Sequence, residues 1–304
     1  MFRVLVCFVL LFSLTSFATE KQKNVVAVTL QPYAKILQEV GGDRVEVVAL
    51  IPSNANPHAF EPKPKTLKEF SRASLYFSDG SGMDKAWMPR FLGVNKQVKV
   101  ENISKGIVWM EEGEEHHQDK VNSKKGESKD HAVSSSHREE ELDPHTWTSP
   151  KQALLLGKNM LDALIRLDPA GKLYYETRFQ AFQTQMFALD KEMTAAVQKL
   201  PAEHRTFIVF HPSFGYLARD YGLTQMAVEI EGKEPKPQDL NQLVKVAKAH
   251  HIHVIFVQPQ FSKRSAESLA NELNAVVVST DPLAYDFDTN LKAFAAALLK
   301  AAAK

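Results

Sequence analysis

The chain has 304 residues, of which 44% are hydrophobic and 24% are charged, and its 37 lysines and arginines nearly balance its 36 acidic residues. This balance provides no overall field that would concentrate a nucleic acid or an anionic membrane surface, so neither is an expected partner. A chain of this length can form two hydrophobic cores, and two lobes are the starting expectation.

An export signal is predicted at residues 1–18. Arg3 supplies a positive start, residues 4–14 form an apolar run, and the small residue Ala18 stands at the expected cleavage point. The run is much shorter than the ~20 residues that span a bilayer, which argues against a membrane anchor. Cleavage after Ala18 removes Cys7, the single cysteine of the sequence. The mature chain would therefore have neither a thiolate metal ligand nor a cysteine nucleophile.

Short β-branched runs alternate with longer helical patterns in both halves of the chain. This alternation predicts an α/β fold with two lobes, each a mostly parallel sheet flanked by helices. We place the first lobe at residues 24–168 and the second at residues 201–304. The predicted strands are residues 25–28, 45–51, 75–77 and 98–100 in the first lobe, and 206–210, 226–228, 253–257 and 275–278 in the second.

One long, rigid helix is predicted to join the lobes at residues 169–200. Between residues 172 and 199, apolar residues recur at steps of three and four, which places them on one helix face. At 1.5 Å per residue this helix would be ~42 Å long, so it would act as a strut rather than a flexible linker. The apolar face consists of Phe179, Phe182, Met186, Leu189, Met193 and Val197.

Residues 111–141 differ in composition from the rest of the chain. Acidic residues outnumber basic ones there, and apart from glycine only three residues are non-polar. Such a segment buries too little apolar surface to order itself, and an insertion longer than ~15 residues is usually functional or disordered. The segment either collects metal ions or only solvates its surroundings. Its potential auxiliary metal ligands are His116, His117, His131 and His137.

The candidate metal ligands are three histidines that each adjoin a proline, His58, His145 and His211. Proline restricts the backbone of its neighbours, so these imidazoles stand on stiff segments. His211 and Asp281 directly follow predicted strands, at the edge where open α/β sheets bind ligands. Three neutral imidazoles and one carboxylate form a four-coordinate set that zinc accepts. Taken singly, a loop histidine is more often a surface or hydrogen-bonding residue.

Several ordered motifs strengthen the zinc hypothesis. They are NPHAFEP at 56–62, DPHTW at 143–147, HPSFGY at 211–216 with YGL at 221–223, EPKP at 234–237, IFVQPQF at 255–261 and DPLA at 281–284. With these motifs the chain resembles the metal-specific family of solute-binding proteins of ABC transporters, from about residue 24 to the end.

The resemblance implies a metal site in the cleft between the lobes, with His58, His145 and His211 as ligands and Asp281 as the fourth group. Manganese-type relatives typically have glutamate in the third position, so His211 favours zinc. The histidine-bearing insertion is similar to the loop of zinc-type members. The implied function is capture of Zn²⁺ in the periplasm, by a monomer without enzymatic activity, and its delivery to an inner-membrane ABC zinc permease.

A zinc-dependent hydrolase is the main alternative, because three histidines and an activated water also form a catalytic zinc site. The sequence has no His-Glu-x-x-His helix, no Gly-x-Ser-x-Gly turn and no glycine-rich phosphate loop. If Asp281 completes the zinc shell, the ion has no open position for a substrate. A surface adhesin with a structural zinc ion is a third interpretation, although ligands from two lobes suit reversible capture better.

Overall fold

The computed structural model describes residues 23–53, 55–111, 142–229, 237–259, 261 and 263–303; at residues 58, 83, 237 and 239 it describes the backbone alone. The elements of the first lobe are β1 (Asn24–Val28), α1 (Gln31–Gly41), β2 (Val45–Ala49), α2 (Pro64–Phe70), β3 (Leu75–Ser78), α3 (Gly82–Val94), β4 (Lys99–Asn102) and α4 (Pro150–Leu167). Helix α5 (Lys172–Gln198) follows. The second lobe contains β5 (Thr206–Val209), α6 (Gly215–Tyr221), β6 (Thr224–Ala227), α7 (Pro237–Ala249), β7 (Val254–Val257), α8 (Lys263–Leu273), β8 (Val276–Ser279) and α9 (Phe287–Ala302).

Each lobe contains one four-stranded sheet, and every strand pairing in the two sheets is parallel. The strand order is β2-β1-β3-β4 in the first sheet and β6-β5-β7-β8 in the second. The order reverses beside β1 in the first sheet and beside β5 in the second, and open α/β sheets bind ligands at such switch points. The prediction of two α/β lobes with parallel sheets is confirmed.

The two lobes share one central hydrophobic core. Alternate residues of each inner strand point to opposite faces of the sheet. In β1, Val26 and Val28 belong to the central core, whereas Val25 and Ala27 belong to an outer core with residues of α2 and α3. In the same way β5 contributes Phe207 to the central core and its neighbour to an outer core with residues of α7 and α8. The sheets therefore lie on either side of a common apolar layer.

Helix α5 runs through this shared layer and packs against α1 and α4 of the first lobe and α9 of the second. The apolar face predicted from its sequence is buried over its whole length, from Phe179 to Val197. A helix of 27 residues is ~40 Å long, which matches the predicted strut.

The two ends of the acidic insertion are joined. Glu111 and Leu142 form an isolated antiparallel bridge, and the amide of Asp143 donates to the carbonyl of Met110 at 2.8 Å. The four predicted auxiliary ligands, at 116, 117, 131 and 137, lie outside the described residues, as does the predicted export signal at 1–18. Among the helices that are described, none combines the length and the apolar character needed to cross a bilayer.

Candidate metal centre

His145 is held in place by its own loop. The Oδ1 atom of Asp143 accepts from the backbone amide of His145 at 2.8 Å and lies 2.7 Å from its Nδ1 atom. A 3₁₀ turn, Thr146–Thr148, follows, and the ring of Trp147 packs against the imidazole with 5.4 Å between ring centroids. The histidine is 5% exposed. A short Asp-Pro-His segment thus buries an imidazole and directs its Nε2 atom away from its own loop.

His211 stands two residues beyond the end of β5, at the switch point of the second sheet. The side-chain amide of Gln258, which follows β7, donates to the His211 carbonyl at 2.7 Å and accepts from the His211 amide at 3.2 Å. The Nδ1 atom lies 2.8 Å from Oε2 of Glu229, and the ring of Phe261 lies parallel to the imidazole with 6.1 Å between centroids. Backbone and ring are therefore both held by neighbouring strand ends.

The two imidazoles meet across the lobes, with their Nε2 atoms 3.1 Å apart. Since each Nδ1 faces a carboxylate, Nδ1–H is the donor and each neutral ring presents a lone pair at Nε2. Two such lone pairs repel at this distance unless a cation lies between them, either a proton on one ring or a metal ion. Two nitrogens bound to one tetrahedral zinc ion at ~2.0–2.1 Å are themselves about 3.3 Å apart. The observed spacing therefore suits a shared ligand ion.

Direct contacts between the lobes maintain this spacing. The hydroxyl of Tyr216 in α6 donates to the carbonyl of Asp143 at 2.8 Å, and the indole N–H of Trp147 donates to the carbonyl of Pro282 at 2.6 Å. Gly215 is required for this approach, because a Cβ atom there would lie 2.7 Å from Oδ2 of Asp143. The loop of His145 is therefore pressed against the second lobe on both of its sides.

The other two predicted ligands follow strands of the two sheets. His58 lies in a 3₁₀ turn, Pro57–Ala59, after β2, but its side chain is outside the described residues. Asp281 follows β8, and its Oδ1 atom accepts from the amide of Leu283 at 3.0 Å. Within the described ranges, no three histidine, cysteine, aspartate or glutamate side chains form a group that could hold a metal ion. His145 and His211 are thus the two predicted ligands that the described structure places together.

Three further residues of this centre were not singled out from the sequence: Asp143, Glu229 and Gln258. Each holds one of the two histidines through hydrogen bonds. The sequence offered a signal for them, because Glu229 and Gln258 follow predicted strands and so stand at the same sheet edge as His211. Asp143 lies two residues before His145 in the DPHTW motif.

A second polar cluster lies at the carboxyl end of the first sheet. The carboxyls of Asp79 and Asp84 are buried, and the hydroxyl of Tyr33 donates to Asp79 at 3.2 Å. Asp84 accepts from the hydroxyls of Tyr76 and Ser78. Burial raises the pKa of Asp79 to about 7, and the neighbouring Asp84 carboxylate adds to this shift. Burial also raises the pKa of Asp84.

Comparisons with known proteins agree with the fold and with the motifs. The family described as ZnuA, zinc-uptake complex component A periplasmic, matches residues 26–301. The high-affinity zinc uptake system protein ZnuA of Bacillus subtilis (strain 168) is 33% identical over 255 residues, which cover 82% of this chain and 75% of that protein. A crystal structure of ZnuA is 34% identical, covers 93% of this chain and 99% of its own, and superposes with a TM-score of 0.78. The structure of a zinc-bound deletion mutant of ZnuA is also 34% identical. The match covers 92% of this chain and 98% of that one, with a TM-score of 0.79.

Proposed function

Because the chain belongs to the ZnuA family of periplasmic zinc-uptake components, we propose that it captures Zn²⁺ in the periplasm and delivers it to an inner-membrane ABC permease. In this proposal it acts as a monomer, and residues 1–18 direct its export and are removed. Relatives named for zinc uptake or zinc binding support a solute-binding protein and do not favour the hydrolase alternative.

The observation that carries the proposal is the facing pair of Nε2 atoms, 3.1 Å apart, from His145 and His211. One imidazole comes from each lobe, so an ion bound by both would join the lobes. Imidazole nitrogen suits zinc better than it suits the harder manganese ion. We assign these two histidines as the central ligands.

His58 and Asp281 complete the proposed site. Both stand beyond strand ends that face the cleft, His58 after β2 and Asp281 after β8. Asp281 would have to exchange its hydrogen bond to the Leu283 amide for the ion, and water occupies the fourth position if it does not. Since the closed arrangement offers all ligands together, zinc would favour closure of the lobes, and the permease would bind the closed form.

The acidic insertion is proposed to collect zinc next to this site. Its two ends meet at the Glu111–Leu142 bridge, three residues before His145. Four histidines and an excess of carboxylates in residues 111–141 suit weak, exchangeable metal binding.

Zinc titration of the mature chain against a chromophoric chelator tests the proposal. We expect one tight zinc site. His145→Ala and His211→Ala should each lower its zinc affinity by more than about 100-fold, because even residues that only support a metal ligand typically contribute 10–100-fold. The matched control is His250→Ala, a histidine that lies beyond the end of α7. Deletion of residues 113–137 should leave the tight site and remove weaker binding.

Unchanged affinity in both cleft variants, or loss of the tight site on deletion of the insertion, would overturn the assignment. Delivery is tested by growth of a zinc-uptake-deficient bacterium in a chelator, with its cognate permease present. The wild-type chain should restore growth and His211→Ala should not.

A further inference from the structure

Glu229 is fixed at the edge of the second sheet beside His211. It stands two residues beyond the end of β6, and its backbone amide donates to the carbonyl of Phe210 at 2.9 Å. Its side chain is 12% exposed, and its Oε2 atom lies 2.8 Å from Nδ1 of His211. Both partners in this contact are therefore anchored by neighbouring parallel strands, β5 and β6.

Glu229 borders a cavity of about 330 Å³ between α7 and α8, whose lining combines apolar side chains such as Val228 and Val244 with polar ones such as Ser268. Glu272 belongs to the same lining and is paired with Lys248 at 3.8 Å. Within the described ranges, the ion pairs of Glu229 are limited to its contact with His211. A carboxylate in such surroundings interacts more strongly with a neighbouring donor than it would in water.

The contact determines which nitrogen of His211 faces the cleft. A carboxylate accepts hydrogen bonds and cannot donate, so Nδ1 carries the proton and Nε2 keeps its lone pair. That lone pair points at Nε2 of His145, where the proposed ion would bind. Carboxylates behind metal-bound imidazoles also fix the ring and raise its basicity.

We propose that Glu229 is a positioning residue that holds His211 as an Nε2 zinc donor and thereby sets the zinc affinity of the cleft. The inference rests on the proposed function and extends it to a residue outside the predicted ligand set. Asp143 makes the equivalent contact with His145. Its carboxylate also accepts from the His145 amide, and its carbonyl accepts from Tyr216 of the second lobe. Among the residues that the structure describes, the Glu229 carboxylate bonds to His211 alone, so its substitution isolates the effect on the imidazole.

Two variants and one control test the role. Glu229→Leu removes the acceptor, whereas Glu229→Gln keeps an oxygen acceptor and removes the charge. Glu272→Gln alters a carboxylate of the same cavity that does not contact His211. Tautomers are read from nitrogen-15 spectra of histidine-labelled, metal-free protein at pH 8, and zinc affinity is measured by chelator competition.

We expect His211 of the wild type to be protonated at Nδ1, and Glu229→Leu to shift it towards the Nε2-protonated form. Zinc affinity should fall by about 10–100-fold in Glu229→Leu, fall less in Glu229→Gln and stay unchanged in Glu272→Gln. The tautomer of His145 should stay the same in all three. If Glu229→Leu does not fold, a folded Glu229→Gln tests the inference, because its zinc affinity should be lower than that of the wild type.

The inference would be overturned if Glu229→Leu kept both an Nδ1-protonated His211 and the zinc affinity of the wild type. If the leucine variant does not fold, the same result in a folded Glu229→Gln would overturn it. So would a His211 protonated at Nε2 in the wild type. If His211→Ala itself keeps full zinc affinity, the proposed function is wrong instead, which separates the two failures.

Discussion

A buried pair of carboxyl groups, Asp79 and Asp84, links the stability of the first lobe to pH. Asp79 is enclosed with Asp84 beneath the sheet edge, and burial followed by the neighbouring carboxylate raises its pKa to about 7. An aspartate in an unfolded chain titrates near pH ~3.9. Between these values the folded chain keeps a proton that the unfolded chain has released, so this proton stabilises the fold at low pH. The stabilisation is lost as the pH rises towards 7.

Asp79→Asn should remove the part of this pH dependence that Asp79 contributes. Asparagine stays neutral, its oxygen can accept from the Ser81 amide, and its NH₂ group can donate to Tyr33. Relative to the wild type, the variant should gain roughly 1–3 kcal/mol of unfolding free energy between pH 5 and pH 8. Urea unfolding of metal-free protein at several pH values measures the difference. Asp162→Asn, which alters an exposed ion pair with Lys158, is the control. The interpretation would be contradicted if the difference in unfolding free energy between Asp79→Asn and the wild type did not change with pH.

Candidate ligands could be recognised in the sequence where a neighbouring proline marks them. His145 and His211 adjoin prolines and lie in ordered motifs, and the structure brings them together. Asp143 and Glu229 were missed because an acidic residue near a strand end or in a loop is common. Its role depends on which imidazole folds against it, and a single sequence does not specify that contact.

At the scale of elements, the close packing of α4 against α5 depends on one small residue. A Cβ atom at Gly157 would lie 2.6 Å from Cε1 of Phe182, whose ring is 1% exposed in the central core. The ring is surrounded by packed side chains and cannot retreat without displacing them. This contact fixes how near the long helix approaches the first lobe.

Gly157→Ala should destabilise the fold by about 1–2 kcal/mol. Overpacking of a core typically costs ~1–3 kcal/mol, and replacement of a helical glycine by alanine recovers up to ~1. Gly93→Ala in α3, where a Cβ atom meets nothing within 4 Å, should instead be neutral or stabilising by less than ~1 kcal/mol. Thermal and urea unfolding of the two variants should therefore move in opposite directions. A stabilised Gly157→Ala would show that the ring is free to move.

The elements themselves were largely predictable. β-branched runs located the eight strands that the structure describes, and three- and four-residue steps located α5, because these periods follow directly from the two backbone geometries. Bounds differ by a few residues, as in β6, predicted at 226–228 and observed at Thr224–Ala227. Strand ends depend on the partners across the sheet, which the pattern of a single strand does not contain.

At the scale of the whole molecule, the two lobes form one apolar unit. Residues of both sheets and of α5 belong to the same central core. The sequence predicted two lobes but not this union, because an apolar face shows that a surface is buried without showing which surface covers it. The lobes are therefore not expected to unfold separately.

Unfolding of the metal-free mature chain in urea should follow a single cooperative transition. Trp87, Trp109 and Trp147 all precede α5 in the chain, so their fluorescence reports the first lobe and, through the bond of Trp147 to Pro282, its contact with the second lobe. Far-ultraviolet circular dichroism reports the helices and strands of both lobes. Coincident curves from the two probes are expected for one unit. A first-lobe transition separated from the overall loss of helix would show that the shared core does not couple the lobes.

The Glu111–Leu142 bridge has an evolutionary consequence. It joins the two ends of the insertion, so the chain before and after the thirty intervening residues meets at one point of the fold. The entropy of closing a loop grows slowly, by about 0.6 kcal/mol for each doubling of its length. Descendants of this sequence could therefore lengthen, shorten or replace the segment at little thermodynamic expense. In the laboratory this position suits the grafting of a reporter close to His145.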